Sequence, residues 1–228
     1  MAVSKTFNLN AATHERAARK LLITVAEWQS TTGEYYSITL SKPGDWDTNY
    51  TNYYTESSGT YTPVPSSTSA PAWSANTYYA RVDREILGRR TEDSSIEYNT
   101  DQETSTDILG INYTDINKTQ PQQDFDPHLI LGGDKFSELL NDIRRRNALT
   151  ELQQFTLYII TAFIGDSTNG YAAERHENCT ITYTAIGGDS NVNFPISAYF
   201  SNDITLGTVN KLSADFAFSP DSNVNVGG

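Results

Sequence analysis

The side chains able to do chemistry are few and scattered. The three histidines, His14, His128 and His176, stand in unrelated contexts, and Cys179 is the only cysteine. No G-x-S-x-G turn or Cys–His signature surrounds a nucleophile. His176 lies three residues before Cys179, but no second cysteine can complete a thiolate metal site. In a regular strand those two positions also face opposite sides. Gly132-Gly133 and Gly187-Gly188 read as turn glycines, not as a phosphate loop. Asp45, Asp47, Asn49 and Glu56 fall at positions 1, 3, 5 and 12, the oxygen-ligand spacing of an EF-hand. Tyr50 stands where glycine must make the sharp turn, however, and Pro43-Gly44 excludes an entering helix, so the turn chemistry argues against calcium. Between residues 91 and 126, nine acids (Glu92, Asp93, Glu97, Asp101, Glu103, Asp107, Asp115, Asp124, Asp126) face one base, Lys118. They are spread singly through polar sequence. That pattern predicts a solvated acidic face, because an acid–base pair needs burial to separate its two pKa values. No catalytic residue, metal or cofactor is expected, and the chain does not read as an enzyme.

The elements that carry these residues are set by an unusual neutral polarity. Ser, Thr and Asn number 21, 28 and 18 in 228 residues, against 19% charged. Thr and Tyr favour strands, while Ser and Asn favour turns, so the composition predicts an all-β protein. A formal charge of −12 argues against a general nucleic-acid binder, which would carry a basic face. One cysteine excludes a disulfide scaffold, and no apolar run approaches the ~20 residues of a membrane-spanning helix. The apolar run Leu21–Ala26 is short and is followed by Glu27, Trp28 and Gln29, which predicts a first strand in place of a signal peptide.

Strands are expected over 20–28 and 34–41, joined by a Ser30-Thr31-Thr32-Gly33 turn. Residues 42–77, with four charges, Trp46, Trp73, several Tyr and a Pro/Ser-rich stretch, read as an insertion or surface excursion. SSIEYNT and ETSTDIL within 91–110 read as two short strands, and the following residues to Pro127 as an irregular acidic loop. The one helix is expected over 134–148. Phe136, Leu139, Leu140 and Ile143 form a single apolar stripe there, Asp134 is placed to cap it, and Arg144, Arg145 and Arg146 complement its dipole. Residues 153–165 are apolar on both faces and predict a central, covered strand. Residues 178–186 and 193–200 alternate as half-buried strands around a Gly187-Gly188-Asp189-Ser190 turn.

In order along the chain, GRRTEDSSIEYNTDQETSTDILG (88–110), FDP (125–127), GGDKFSELL (132–140), GYAAERHENCTI (170–181), IGGDSNV (186–192) and LGTV (206–209) resemble the major tail tube proteins of long-tailed bacteriophages. The likeness covers roughly the last 140 residues, and segment 42–77 departs from it. It implies a mainly β fold: two packed β-sheets, sandwich- or barrel-like, with one flanking α-helix. The β-domain would span 1–41 and 78–228, with 42–77 inserted. It further implies hexameric rings stacked as a hollow tube around a tape measure protein. The tube would be bounded by tail tip or baseplate and tail terminator proteins, and DNA would pass through it without specific binding. Such a protein belongs to the virion tail and to the host cytoplasm during assembly, with no membrane partner. On this reading the inter-subunit loop holds Asn112, Tyr113, Asp115, Lys118, Gln120, Asp124, Phe125 and Asp126. Glu97 and Glu103 are expected to face the lumen, where negative charge repels DNA phosphates. The competing reading is a carbohydrate-binding or adhesive β-module, with Trp46, Trp73 and the clustered tyrosines as a stacking platform.

Overall fold

The computed structural model of the chain describes residues 22–39, 53–64, 77–88, 91, 94–129, 133–188 and 192–221. Among them run strands β1 (Leu22–Thr39), β2 (Tyr53–Ser57), β3 (Thr60–Pro63), β4 (Thr77–Ile86), β5 (Ile96–Thr106) and β6 (Asn112–Phe125). Helix α1 (Lys135–Arg146) and a short 3-10 turn (Leu149–Gln153) come next. The chain continues through β7 (Phe155–Asp166), β8 (Gly170–Tyr183), β9 (Ile196–Tyr199), β10 (Ile204–Val209) and β11 (Phe218–Pro220). All pairings are antiparallel, in the order β3-β2-β4-β1-β7-β8-β9-β6-β5. The protein is mainly β with a single α-helix among the described residues, as its composition predicts.

Two layers arise at β8. Its first half pairs with β7 and β10, and Thr180–Tyr183 pairs with β9, so one strand serves both layers. β7 is the hub because it is apolar on both faces. Phe155, Leu157 and Ile159 enter one core, while Tyr158, Ile160 and Ala162 enter another. The first core lies between the layers and holds Trp28, Phe125, Ile181, Ile196 and Phe200. The helix closes it with Phe136, Leu140 and Ile143. The second core is covered by the C-terminal segment through Val209, Ala214 and Phe216. The helix keeps its predicted ends. The Asp134 carboxylate accepts from the Phe136 and Ser137 amides at 3.1 and 3.4 Å, and Asn147 closes the C-terminus in the left-handed region.

Several expectations are corrected. The described parts of segments 20–28 and 34–41 are one strand, Leu22–Thr39, not a hairpin. Gln29 and Glu34 both lie opposite Val82, so Ser30–Gly33 bulges out of a strand that continues along β4. A Cβ on Gly33 would sit 2.4 Å from the Val82 carbonyl oxygen, which leaves room only for glycine. The two short strands expected within 91–110 are the single strand β5, and the irregular loop expected after it is strand β6. Apolar alternation, the usual sign of a strand, is missing there because both faces meet water along most of the length. The distal end of β7 is uncovered, with Phe163 and Ile164 more than half exposed. In the described part of 42–77, β2 pairs with β4 and buries Tyr53 against Tyr78, so this hairpin extends the sheet. Trp46, Trp73, Asp45, Asp47 and Asn49 lie outside the described residues.

Candidate functional site

β5 and β6 form an arm. β9 covers β6 only from Gln122 to Phe125, and the last tie to the body is the Phe200 amide donating to the Pro121 carbonyl. From Tyr98↔Pro121 out to Thr106↔Asn112 the two strands pair, among the described residues, only with each other. At ~3.3 Å per residue this ribbon is about 30 Å long. A lone two-stranded ribbon is marginal in water, so such an arm calls for a partner surface.

The arm has two unlike faces. Successive strand residues alternate, and the register shift beside Asp101 places its extra residue in β6, so β5 keeps its period. One face of β5 carries Glu97, Asn99, Asp101, Glu103 and Ser105. The other carries Tyr98, Thr100, Gln102, Thr104 and Thr106, with no charge at all. The two faces also differ at the root. The uncharged face continues into the core through Ile96, Pro121, Gln123 and Phe125, whereas Gln120 and Asp124 point to water. Cross-strand contacts bear out the alternation: Thr104 and Thr114 hydroxyls meet at 3.3 Å, and the Thr106 hydroxyl donates to Asn112 Oδ1 at 2.7 Å.

The tip is apolar and held rigid. Asp107 Oδ1 accepts from the Leu109 and Ile111 amides at 2.8 and 2.9 Å, and its Oδ2 accepts from the Tyr113 hydroxyl at 3.2 Å. These bonds, that of Ile111 foremost, hold the Asp107 carboxyl below its ordinary range. The turn they fix presents Ile108 and Leu109 at 102% and 78% exposure, with Ile111 and Tyr113 half exposed behind.

A second surface lies at the other end of the strand order. Tyr35 and Tyr61 stack in parallel with centroids 3.9 Å apart, and Tyr54 and Tyr79 meet them edge-on at 4.9 and 5.2 Å. The Arg81 guanidinium sits 4.4 Å from the Tyr35 ring and donates to the Tyr35 hydroxyl and to the Thr31 carbonyl of the bulge. All five side chains are half-buried.

The residues expected at a subunit contact are thus distributed unevenly. Asn112, Tyr113 and Gln120 lie on the arm, and Asp115 and Lys118 belong to its strand β6. Asp124 lies at the root, and Asp126 accepts from Asn193 at 3.0 Å. Phe125 is a correction: at 1% exposure it belongs to the subunit's own core, because the alternation of β6 turns it inward beside Ile196. Glu97 and Glu103 do share one exposed face. The sequence reading missed the tip residues Ile108, Leu109 and Ile111 and the Tyr35–Arg81 pair. The odd-numbered spacing of acids at 97, 101 and 103 was the available signal for a two-faced strand.

Among the described residues no group of three or more His, Cys, Asp or Glu could hold a metal ion. An Asn178 with φ of 56° breaks the strand period, so His176 and Cys179, expected on opposite sides, both bond Ser201. The His176 ring meets the Ser201 carbonyl at 2.9 Å, and the Ser201 amide donates to the Cys179 sulfur at 3.4 Å. Burial pushes the Cys179 thiol up to about 11, the reverse of an activated nucleophile. Glu56 accepts from the Gly59 amide in the β2–β3 turn. Among the described residues no helix is long and apolar enough to cross a membrane. No protein-family model matches this chain, and neither a curated protein nor a solved structure gives a significant match.

Proposed function

We propose that this chain is the structural subunit of a phage-type tail tube, assembling into hexameric rings stacked as a hollow conduit for DNA. The observation that carries the reading is the β5–β6 arm, a ribbon ~30 Å long with an apolar tip and, among the described residues, no cover of its own. Among the described residues β3 and β5 end the main strand order, and β11 ends the branch through β10. Sheet ends left open in a monomer are closed by pairing or packing with the next copy, and repeated head-to-tail contacts generate rings or filaments. The acidic face with Glu97, Asp101 and Glu103 suits the lumen side, since like charge lets DNA phosphates slide without sticking. The tape measure protein would occupy that lumen before DNA, and the tube would end on tail tip and terminator proteins.

The test replaces residues 100–119 by Asn-Gly, which closes Asn99 and Gln120 with a two-residue hairpin turn and spares Gln123 and Phe125. The wild type should form rings or long tubes by negative-stain electron microscopy. The shortened protein should fold with an unchanged unfolding midpoint and stay unassembled. Tubes of normal width from it would refute the reading. A carbohydrate-binding role draws less support from the described tyrosines, because Tyr61 and Arg81 already occupy the Tyr35 ring that a sugar would stack on.

A further inference from the structure

We infer that the uncharged face of the arm docks on the Tyr35–Tyr54–Tyr61–Tyr79 platform of a second copy of this chain, leaving the acidic face in water. The inference rests on the assembly reading above and names its contact. Only one face of the ribbon can be covered cheaply. Burying Glu97, Asp101 and Glu103 would strip water from three carboxylates, whereas Tyr98, Thr100, Gln102 and Thr104 carry no charge to desolvate. That face also runs unbroken into the core through Ile96 and Gln123, so a second layer laid on it extends packing already begun.

The occupant follows from composition and charge. The face needs a neutral, aromatic counterpart with a cation near the arm's acids. The platform supplies four tyrosines around Arg81, and Tyr and Arg are the residues that dominate interface centres. Arg81 provides the charge opposite to that of the arm's rim, and the acid beside the tyrosines, Glu56 opposite Tyr61, is exposed at the β2–β3 edge. A nucleic acid or an anionic lipid surface would instead be repelled by the arm's acids. Arm and platform lie on different elements, β5–β6 and β1–β4, so unless two copies exchange arms about a two-fold axis the contact runs head-to-tail. Covering a ribbon ~30 Å long and ~10 Å wide together with its tip buries roughly 1,000 Å² over both partners, where specific interfaces begin.

Head-to-tail contacts can be capped, and the test uses this. Thr104→Lys charges the arm's neutral face, and Tyr61→Lys charges the platform. Glu103→Lys alters the acidic face and serves as control. By sedimentation velocity, T104K and Y61K should each be monomeric, and E103K should assemble like the wild type. Mixed one to one, T104K and Y61K should give a particle of twice the monomer mass and nothing larger, since each contributes its one intact surface. Tubes from the wild type with a mixture that stays monomeric would overturn the contact and leave the tube reading standing. Wild-type fibres without a lumen, with the capped dimer intact, would overturn the tube reading and leave the contact. A wild type monomeric at every concentration overturns both. Flotation of that monomer with phosphatidylcholine vesicles, lost on Ile108→Asp, would assign the tip to a membrane instead.

Discussion

Removing the charge of Glu27 should unfold this protein far more readily than its position in a strand would imply. Glu27 and Arg84 are 2% and 5% exposed, and the Arg84 Nε donates to the Glu27 carboxylate at 2.5 Å. A second guanidinium nitrogen donates to the Phe216 carbonyl at 2.8 Å, and the group lies 3.6 and 4.2 Å from the Tyr36 and Phe216 rings. Burial works against the Arg84 charge, but Glu27 and the phenols outweigh it and keep the guanidinium firmly protonated. Glu27→Gln keeps the shape and leaves a buried cation without its anion, held by the Phe216 carbonyl, the Tyr158 hydroxyl at 3.4 Å and neighbouring ring faces. Breaking a buried pair from one side costs about 3–5 kcal/mol. For a chain of this size that is a fall of roughly 6–20 °C in midpoint, a large share of the 5–15 kcal/mol typical of whole domains. The double variant Glu27→Leu, Arg84→Met removes both charges and should recover part of the loss, short of the ~1–3 kcal/mol each for the orphaned Phe216 carbonyl and Tyr158 hydroxyl. Urea unfolding read by tryptophan fluorescence, at concentrations below assembly, of wild type, Glu27→Leu, Arg84→Met and the double variant gives all four corners of the cycle. A Glu27→Gln variant within about 1 kcal/mol of wild type, or strictly additive losses, would refute the idea that this pair locks the C-terminal segment onto β4.

Two further perturbations probe the cores. Phe136 is wholly buried, with the rings of Trp28, His128 and Phe155 5.5, 5.8 and 6.0 Å away, so Phe136→Asp should abolish cooperative folding; a native-like near-ultraviolet circular dichroism spectrum would count against this packing. The Cys179 thiol is raised from 9.0 to about 11 by burial, so the native state keeps a proton that the unfolded chain has lost between those values. That contribution to stability is complete below pH 9 and disappears as pH rises toward 11. Urea midpoints of wild type should therefore drop more steeply over that range than those of Cys179→Ala. Tyr36 and Tyr158 are also raised by burial and act alike in both proteins, so parallel curves would show that the thiol is not buried as described.

The parts of this fold that sequence revealed are those where one residue pattern has one physical outcome. β7 is apolar on both faces from Phe155 to Ala162, and the covered strand that pattern predicts is found there, ending where Phe163 and Ile164 emerge. The stripe of Phe136, Leu140 and Ile143 between Asp134 and Asn147 likewise admits only a capped helix. Patterns with two outcomes misled. Ser30-Thr31-Thr32-Gly33 has turn chemistry, and whether the chain reverses or bulges depends on Val82, some fifty residues away, receiving both flanks. The tyrosine platform gathers residues 35, 54, 61 and 79 from four strands, which no local period can announce.

The arm is the instructive case, because its strands lack the apolar alternation that marks burial. Edge strands in monomers are blunted with Lys, Pro or inward-pointing charge, so that no stray chain can add to them. β5 has none of these. Its charges are all acids, all on one side, and the side left neutral is the one continuous with the core. Copies bearing −12 each repel one another at long range, so any contact between them must avoid adding carboxylates to the interface. A ribbon that puts every charge of β5 on one face satisfies both demands. It stays soluble through the face that carries charge and remains selective through the face that does not, which matches an aromatic surface such as the one this chain carries on β1–β4.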